Sequence, residues 1–430
     1  MRILLVCHGM PPDSLGGVEQ HVSGLAGALA AIGHDVEVFA RATLPGVPQG
    51  EWRMQTAANP RIARVAYRWE GVDSLDATYT CPPMASALAR FVAERRAAGA
   101  PFDVAHVHHL TGMSTDALGE LATAGIPTVL TLHDYWMFCP RGQMFHRREE
   151  LCETAAPPRC ADCLQSTFPH WLHEGNRDAA VARIHERALR ALALPQRLVV
   201  PSARVIPPFV ALGVPAARFT VVENGVDTEA LAGLELPPCG PGPLRLGYLG
   251  TVMPSKGLHV LIAALQRLPA GTATLRVHGN VVPYHGDEGY LTRCLFALRP
   301  GAGVELHGPY DLAALPKILA AIDVLAAPAL WREAFGLTVR EALAAGRPVL
   351  CSRIGGLQDS VEHGREGLVL PPGDVDAWAA AIVDLARDRA RVQRMATAAR
   401  CRARGFRPMA DDLVAVYQEA RRTAPTGRVA

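Results

Sequence analysis

Lysine is nearly absent from this chain. Of its 43 basic residues only Lys256 and Lys317 are lysines; the rest are arginines. A surplus of one charge is also missing, with 43 basic against 41 acidic residues and a net charge of +2. That balance excludes the strongly basic profile of a nucleic-acid binder, so no nucleic acid is expected as a partner. No apolar run approaches the roughly 18 residues that a spanning helix needs. Met1 to Cys7, one basic residue and then an apolar run, is too short for a secretory leader. A cytoplasmic chain with its ten cysteines reduced is therefore expected. Arg90, Arg95 and Arg96 could touch the inner face of a membrane as a peripheral contact, although a solvated helix face is the plainer reading. Two nucleotide fingerprints are lacking as well. No Gly-x-Gly-x-x-Gly follows the first apolar run, and no complete phosphate-loop signature occurs. The Asp-x-Asp at Asp374 and Asp376 follows Pro371-Pro372-Gly373 and opens a helical pattern, which reads as N-capping and not as a metal site.

What is present is a long alternation of short apolar runs and helical patterns. With 430 residues, 49% hydrophobic and 20% charged, the chain is globular and of a length for about two or three domains. Ile3–Cys7 reads as a buried strand, followed by a helix from about Val18 that stops at Gly33, and then by a strand at Val36–Ala40. This order predicts α/β architecture with parallel sheets. Further strands are expected at 104–107, 128–132 and 198–200, and the pattern restarts at 244–249. It continues at 275–278, 304–306, 324–326, 349–351 and 368–370. Two α/β halves, 1–220 and 221–404, fit better than one sheet. The seam is expected near Val221–Asp227, where Asn224-Gly225 signals a turn. The last segment, 405–430, carries apolar residues at helical spacing (Met409, Leu413, Val416, Tyr417, Ala420) and needs a surface to cover, which the first half could supply.

Several loops at strand ends carry polar chemistry. Gly16-Gly17-Val18-Glu19 lets a ligand approach a helix N-terminus, where anions are favoured. Lys256-Gly257 follows the strand 244–249, and a lysine in a chain that otherwise writes arginine suggests a compact point charge for phosphate. In Glu333-Ala334-Phe335-Gly336-Leu337-Thr338-Val339-Arg340-Glu341, Glu333 falls in a loop after a strand and a helix begins near Leu337. The plain alternative for Glu341 is a capping box with Thr338. His133-Asp134 ends the strand 128–132, and His106, His108 and His109 end its neighbour as a weak polar cluster, not a metal site.

With Glu333 and Glu341 spaced around Phe335-Gly336, the chain resembles retaining glycosyltransferases of family four (glycosyl transferases group 1). Gly16-Gly17-Val18-Glu19, His133-Asp134, Asn224-Gly225-Val226-Asp227, Lys256-Gly257 and Gly355-Gly356 match in order over nearly the whole chain. The resemblance implies a GT-B fold, two Rossmann-like domains with parallel sheets facing across a cleft, and a C-terminal helix returning to the first. It implies an acceptor domain at 1–220 and a donor domain at 221–404. It implies a nucleotide-diphosphate sugar, UDP- or GDP-linked, and a glycan, polysaccharide or lipid-linked acceptor joined through an α-glycosidic bond. Carried over, Lys256 would grip the diphosphate and Gly336, Leu337 and Thr338 would offer backbone donors. Glu341 would hold the ribose, Glu333 the donor sugar, Gly16 and Gly17 would approach the donor phosphate, and His133 would act beside the sugar. No cofactor is required for catalysis. Thr251 departs from the family, which often has arginine there, and leaves more of the diphosphate charge to Lys256 or another arginine. A sugar-nucleotide epimerase and a non-catalytic sugar-nucleotide or glycan binding module are the alternatives.

Four cysteines, Cys139, Cys152, Cys160 and Cys163, fall within 25 residues. Cys160-x-x-Cys163 has the spacing of a zinc knuckle. Beside Pro157-Pro158 and with little apolar periodicity, the segment has few other means of ordering itself, and metal binding could supply them. A closed structural zinc is expected ahead of an iron–sulfur cluster, with disulfides or unlinked thiols as alternatives.

Overall fold

The computed structural model describes residues 1–56, 58–70, 72–172, 175–299, 301–400 and 402–424, so the end of the expected C-terminal segment, 425–430, lies outside the described residues. The chain divides into two compact units. One holds 1–142, 153–225 and the segment from 406 onward; the other holds 143–152 and 226–405. The expected first domain, 1–220, is therefore interrupted: Gln143–Cys152 belongs to the second unit.

The first unit is built on an eight-stranded sheet: β1 (Arg2–Cys7), β2 (Asp35–Ala42), β3 (Trp52–Thr56), β4 (Arg61–Ala66), β5 (Val104–Val107), β6 (Thr128–Thr131), β7 (Arg197–Val200) and β8 (Phe219–Val221), in the order β3-β4-β2-β1-β5-β6-β7-β8. All neighbours are parallel except β3 and β4. β1 is buried from Ile3 onward, as a central parallel strand covered on both faces must be. The sequence reading missed β3, β4 and β8. β3 and β8 are edge strands, and β3 and β4 carry polar residues among their apolar ones, so none reads as an apolar run.

The helix Gly17–Ala31 covers this sheet and ends as expected, with Ile32 at its C-cap and Gly33 in the left-handed region at φ 87°. The helix Phe406–Thr423 packs on the same core. Its Met409, Leu413, Val416, Tyr417 and Ala420 join Ile3, Leu5, Val22 and Leu25 in one cluster. The Tyr417 hydroxyl lies 2.7 Å from His106 Nδ1, tying that helix to β5 by a buried polar contact.

The second unit holds a six-stranded sheet: β9 (Leu244–Leu249), β10 (Ala273–His278), β11 (Val304–Gly308), β12 (Val324–Ala327), β13 (Val349–Ser352) and β14 (Gly367–Leu370), ordered β11-β10-β9-β12-β13-β14 and parallel throughout. The helices Leu258–Gln266 and Val375–Arg387 close its core, with Trp378 fully buried. Asp374 caps the latter helix by accepting from Ala377 N at 3.0 Å, and Asp376 pairs with Arg267, so the Asp-x-Asp is structural.

In each sheet the strand order reverses beside the unit's first strand, β1 or β9. Ligands in open α/β sheets bind outside the carboxyl ends of the strands at such a switch point.

Candidate active site

In the second unit, Lys256 follows β9 and Glu333 follows β12, the two strands that meet at the switch point. Their side chains touch: Lys256 Nζ donates to Glu333 Oε1 at 2.5 Å, and both are partly buried. The ammonium also lies 5.4 Å from the centre of the Trp331 ring, a cation–π distance. Gly257 sits at φ 75°, and a Cβ there would come within 1.9 Å of Pro328 O. Only glycine allows that approach, so the lysine loop is fixed against the end of β12 by its own glycine.

Gly355-Gly356 has a comparable role for Glu333. Gly356 N donates to Glu333 O at 2.7 Å, and a Cβ on Gly356 would meet Ala334 O at 2.2 Å. The backbone carrying Glu333 therefore rests directly on this glycine pair.

The helix Leu337–Ala344 begins from Gly336, which has φ 80° and ψ 67°, and among the described residues no side chain caps its N-terminus. A capping box of Thr338 with Glu341 is thus not formed. Glu341 lies farther into the helix, buried, and burial pushes its carboxyl up from 4.5 to about 7. Gly336, Leu337 and Thr338 form the first turn, where backbone donors and the helix dipole favour an anion.

Tyr310, beside Glu341, and His278, beside Tyr310, were not singled out by sequence. Tyr310, after β11, has its acidity suppressed first by burial and then by the charge of Glu341. His278 ends β10, lies 6.2 Å from Tyr310 edge-on, and stacks on His307 at 4.4 Å. Burial, and then His307 and Arg276, lower His278 to about 4. Their place at strand ends was the available signal.

In the first unit, Gly16 is the N-cap of the helix Gly17–Ala31 and makes no side-chain cap. The buried Glu19 carboxylate turns back over this loop, accepting from Ser14 Oγ and lying 3.3 Å from His8 Nε2. An added Cβ on Gly16 would strike Glu19 Oε2 at 2.4 Å. Glu19 therefore organises the glycine loop.

His133 follows β6 in a pocket lined by His108, His109, Asp134, Trp136 and Met137. His133 Nε2 lies 3.2 Å from His108 Nδ1, and its ring lies 4.8 Å from that of His21. Burial holds His133 well below the usual imidazole range, with His21, His109, His106 and His8 adding to it, so this is a neutral imidazole. Asp134 accepts from Trp136 N at 2.8 Å and fixes the turn that carries His133. His106 is turned to Tyr417 and Thr131. His21 is the member that sequence reading missed. It shares the buried face of its helix with Val22, Leu25 and Leu29, and helical spacing alone could have placed it there.

Three of the four cysteines lie in the first unit. Cys160 and Cys163 are one turn apart on the helix Pro157–Gln165, whose buried Ala161, Cys163 and Leu164 give it packing that the sequence reading did not expect. Burial, then the charges of Cys139, Asp134 and Cys160, push the Tyr79 hydroxyl upward. Cys152 belongs to 143–152 in the second unit, which carries a bridge between Phe145 and Leu151 and accepts from Tyr284 Oη at Phe145 O. The expectation that this stretch has little order of its own is corrected by these elements.

Residues 15–230 match the family described as Glycosyltransferase Family 4, and residues 243–388 match Glycosyl transferases group 1. A glycogen synthase from Mycobacterium tuberculosis is 30% identical over 94% of this chain and 90% of its own. The solved sucrose-phosphate synthase from Thermosynechococcus elongatus superposes with a TM-score of 0.70 at 22% identity, over 97% of this chain and 98% of its own. The catalytic domain of starch synthase IV from Arabidopsis thaliana, bound to ADP and acarbose, gives 0.69 at 16% identity, over 98% and 99%. Two parallel-sheet α/β units, fold neighbours of the GT-B class and family matches across both halves agree. The chain is a glycosyltransferase of family four, glycosyl transferases group 1.

Proposed function

We propose that this glycosyltransferase moves a sugar from a nucleotide-diphosphate sugar, UDP- or GDP-linked, to a growing polysaccharide, glycan or lipid-linked acceptor, with retention and an α-glycosidic product. The observation that carries the reading is the Lys256–Glu333 contact, with both residues at the β9/β12 switch point. Lys256 is a point cation suited to the diphosphate, and the uncapped first turn from Gly336 adds oriented amides. Glu333 is suited to sugar hydroxyls and Glu341 to ribose hydroxyls. Polysaccharide synthesis is the named work of the glycogen synthase relative, and ADP is what the starch synthase structure holds, which supports a nucleotide donor.

In this reading the bond from the anomeric carbon to the diphosphate oxygen breaks and its electron pair leaves with the diphosphate. The acceptor oxygen bonds to the same face of that carbon, and its proton departs with the leaving group. Lys256 and the helix amides stabilise the charge that develops on the leaving oxygen. His133, uncharged, is suited to a hydrogen bond with the donor sugar. Turnover of nucleotide sugars with and without acceptor is the test. Product formed only with acceptor supports transfer; isomerised donor without acceptor supports an epimerase; binding without turnover supports a binding module.

The structural zinc on Cys139, Cys152, Cys160 and Cys163 stands as a proposal on the cysteine spacing. About one zinc per chain, lost in Cys160→Ser and Cys163→Ser together with protection of residues 139–163 from proteolysis, supports it. Metal-free, active protein ends it. Among the described residues no helix is long and apolar enough to cross a membrane. Peripheral contact through Arg90, Arg95 and Arg96 would appear as binding to anionic vesicles that weakens with salt.

A further inference from the structure

The first unit places three imidazoles from separate elements at one point. His21 comes from the helix Gly17–Ala31, His108 from the end of β5 and His133 from the end of β6, and one ring nitrogen of each lies within 4.8 Å of the other two. His21 and His108 are buried, at 2% and 1% exposure, and His133 is partly exposed. Among the described residues neither ring nitrogen of His21 has a hydrogen-bond partner, and His108 Nε2 has none. A neutral imidazole buried in this way lacks what its lone pair needs, which is a donor or a metal ion.

We propose that His21, His108 and His133 form a binding site for a divalent transition metal, zinc in the first instance, and that occupancy of the site holds His133 out of the transfer reaction. Three neutral imidazoles with a fourth position open are a recognised donor set for zinc. Zinc–nitrogen bonds of about 2.0–2.1 Å in tetrahedral array put ligand atoms roughly 3.4 Å apart. His108 Nδ1 and His133 Nε2 share a hydrogen bond at 3.2 Å, close to that edge, so the ion would take the place of the proton between them, and His21, within 4.8 Å of both, would supply the third nitrogen. His133 is partly exposed and lines a pocket with His108, Asp134 and Trp136, to which the fourth position is assigned. Catalysis needs no metal in this account; the ion acts as an inhibitor.

The metal-binding half stands without the functional reading, whereas the inhibitory half rests on His133 acting in transfer. The test is titration of the full chain with Co²⁺, read by visible absorption, beside zinc inhibition of transfer. The wild-type chain should bind one Co²⁺ with d–d bands and no thiolate charge transfer at this site, and Cys160→Ser should leave those bands in place. His21→Leu and His21→Gln should each weaken binding by more than the about 10–100-fold that loss of an outer-shell partner costs. His21→Gln keeps bulk and polarity should the leucine variant not fold. Zinc should inhibit wild-type transfer at the concentrations that fill the site and spare a folded His21 variant. Absence of the bands, or equal affinity in the His21 variants, overturns the site. Binding that leaves transfer untouched overturns the inhibitory half and counts against His133 in the reaction.

Discussion

The two units put opposite electrostatics at equivalent places on similar sheets. At the switch point of the second sheet stand a cation, a carboxylate paired with it and a buried carboxyl, Lys256, Glu333 and Glu341. Beside the switch point of the first stand His21, His108 and His133, all uncharged by burial. A diphosphate needs the first kind of site, because its charge is met by a point cation and helix amides. In the proposed reading the donor sugar takes a neutral hydrogen-bonding group of fixed direction, and of these three only His133 is assigned to it.

The largest effect should come from breaking the chemistry on either side. Glu333→Ala and His133→Ala should each lower kcat by more than about 100-fold, on the scale of lost catalytic hydrogen-bonding groups, while circular dichroism stays native. Near-normal turnover in the His133 variant would remove the first unit from the reaction.

Next in size is a split between nucleotide and sugar binding. Lys256→Ala should weaken nucleoside-diphosphate binding by about 1.5–3 kcal/mol, the range for hydrogen bonds to charged groups. Glu333→Ala, which frees the lysine from its partner, should leave that affinity equal or higher. Calorimetry on both variants checks the pair, and an equal loss in the two would end the distinction. Gly356→Ala tests the support beneath Glu333. With only 2.2 Å to Ala334 O, it should cost about 1–3 kcal/mol in denaturant unfolding and lower kcat as the Glu333 loop shifts.

A pH effect sharpens the contrast further. The Glu341 carboxyl is raised from 4.5 to about 7 by burial. Between these values the folded chain holds a proton that the unfolded chain has released, so stability from this group falls as pH rises from 4.5 through 7. A ribose that binds the carboxylate should bind more tightly as pH rises through about 7, with proton release on binding. Glu341→Gln should flatten that dependence. The smallest effect expected is at Asp374, where Asp374→Ala should cost about 0.5–2 kcal/mol of stability as a lost cap and leave kcat unchanged.

The sequence was legible where one physical demand acts on consecutive residues. Central strands such as β1 and β9 are buried on both faces and read as apolar runs, and Asp374 reads as a cap from its immediate neighbours. Edge strands β3 and β8 were hidden because they keep a solvent-facing side. Of the site, the glycine loops and the Lys256, Glu333 and Glu341 spacings were readable. The direct contact of Lys256 with Glu333 was not, because it joins loops 77 positions apart. His21 was missed because a histidine within an apolar helix face looks like core until its partners on β5 and β6 are known.

The most direct test of the account is the anomeric configuration of the product, read from proton NMR coupling after incubation of an α-linked nucleotide sugar with a polysaccharide acceptor. The account predicts an α-linked product whose formation collapses in Glu333→Ala and Lys256→Ala. A β-linked product, or an α-linked product formed at the wild-type rate by both variants, would contradict it.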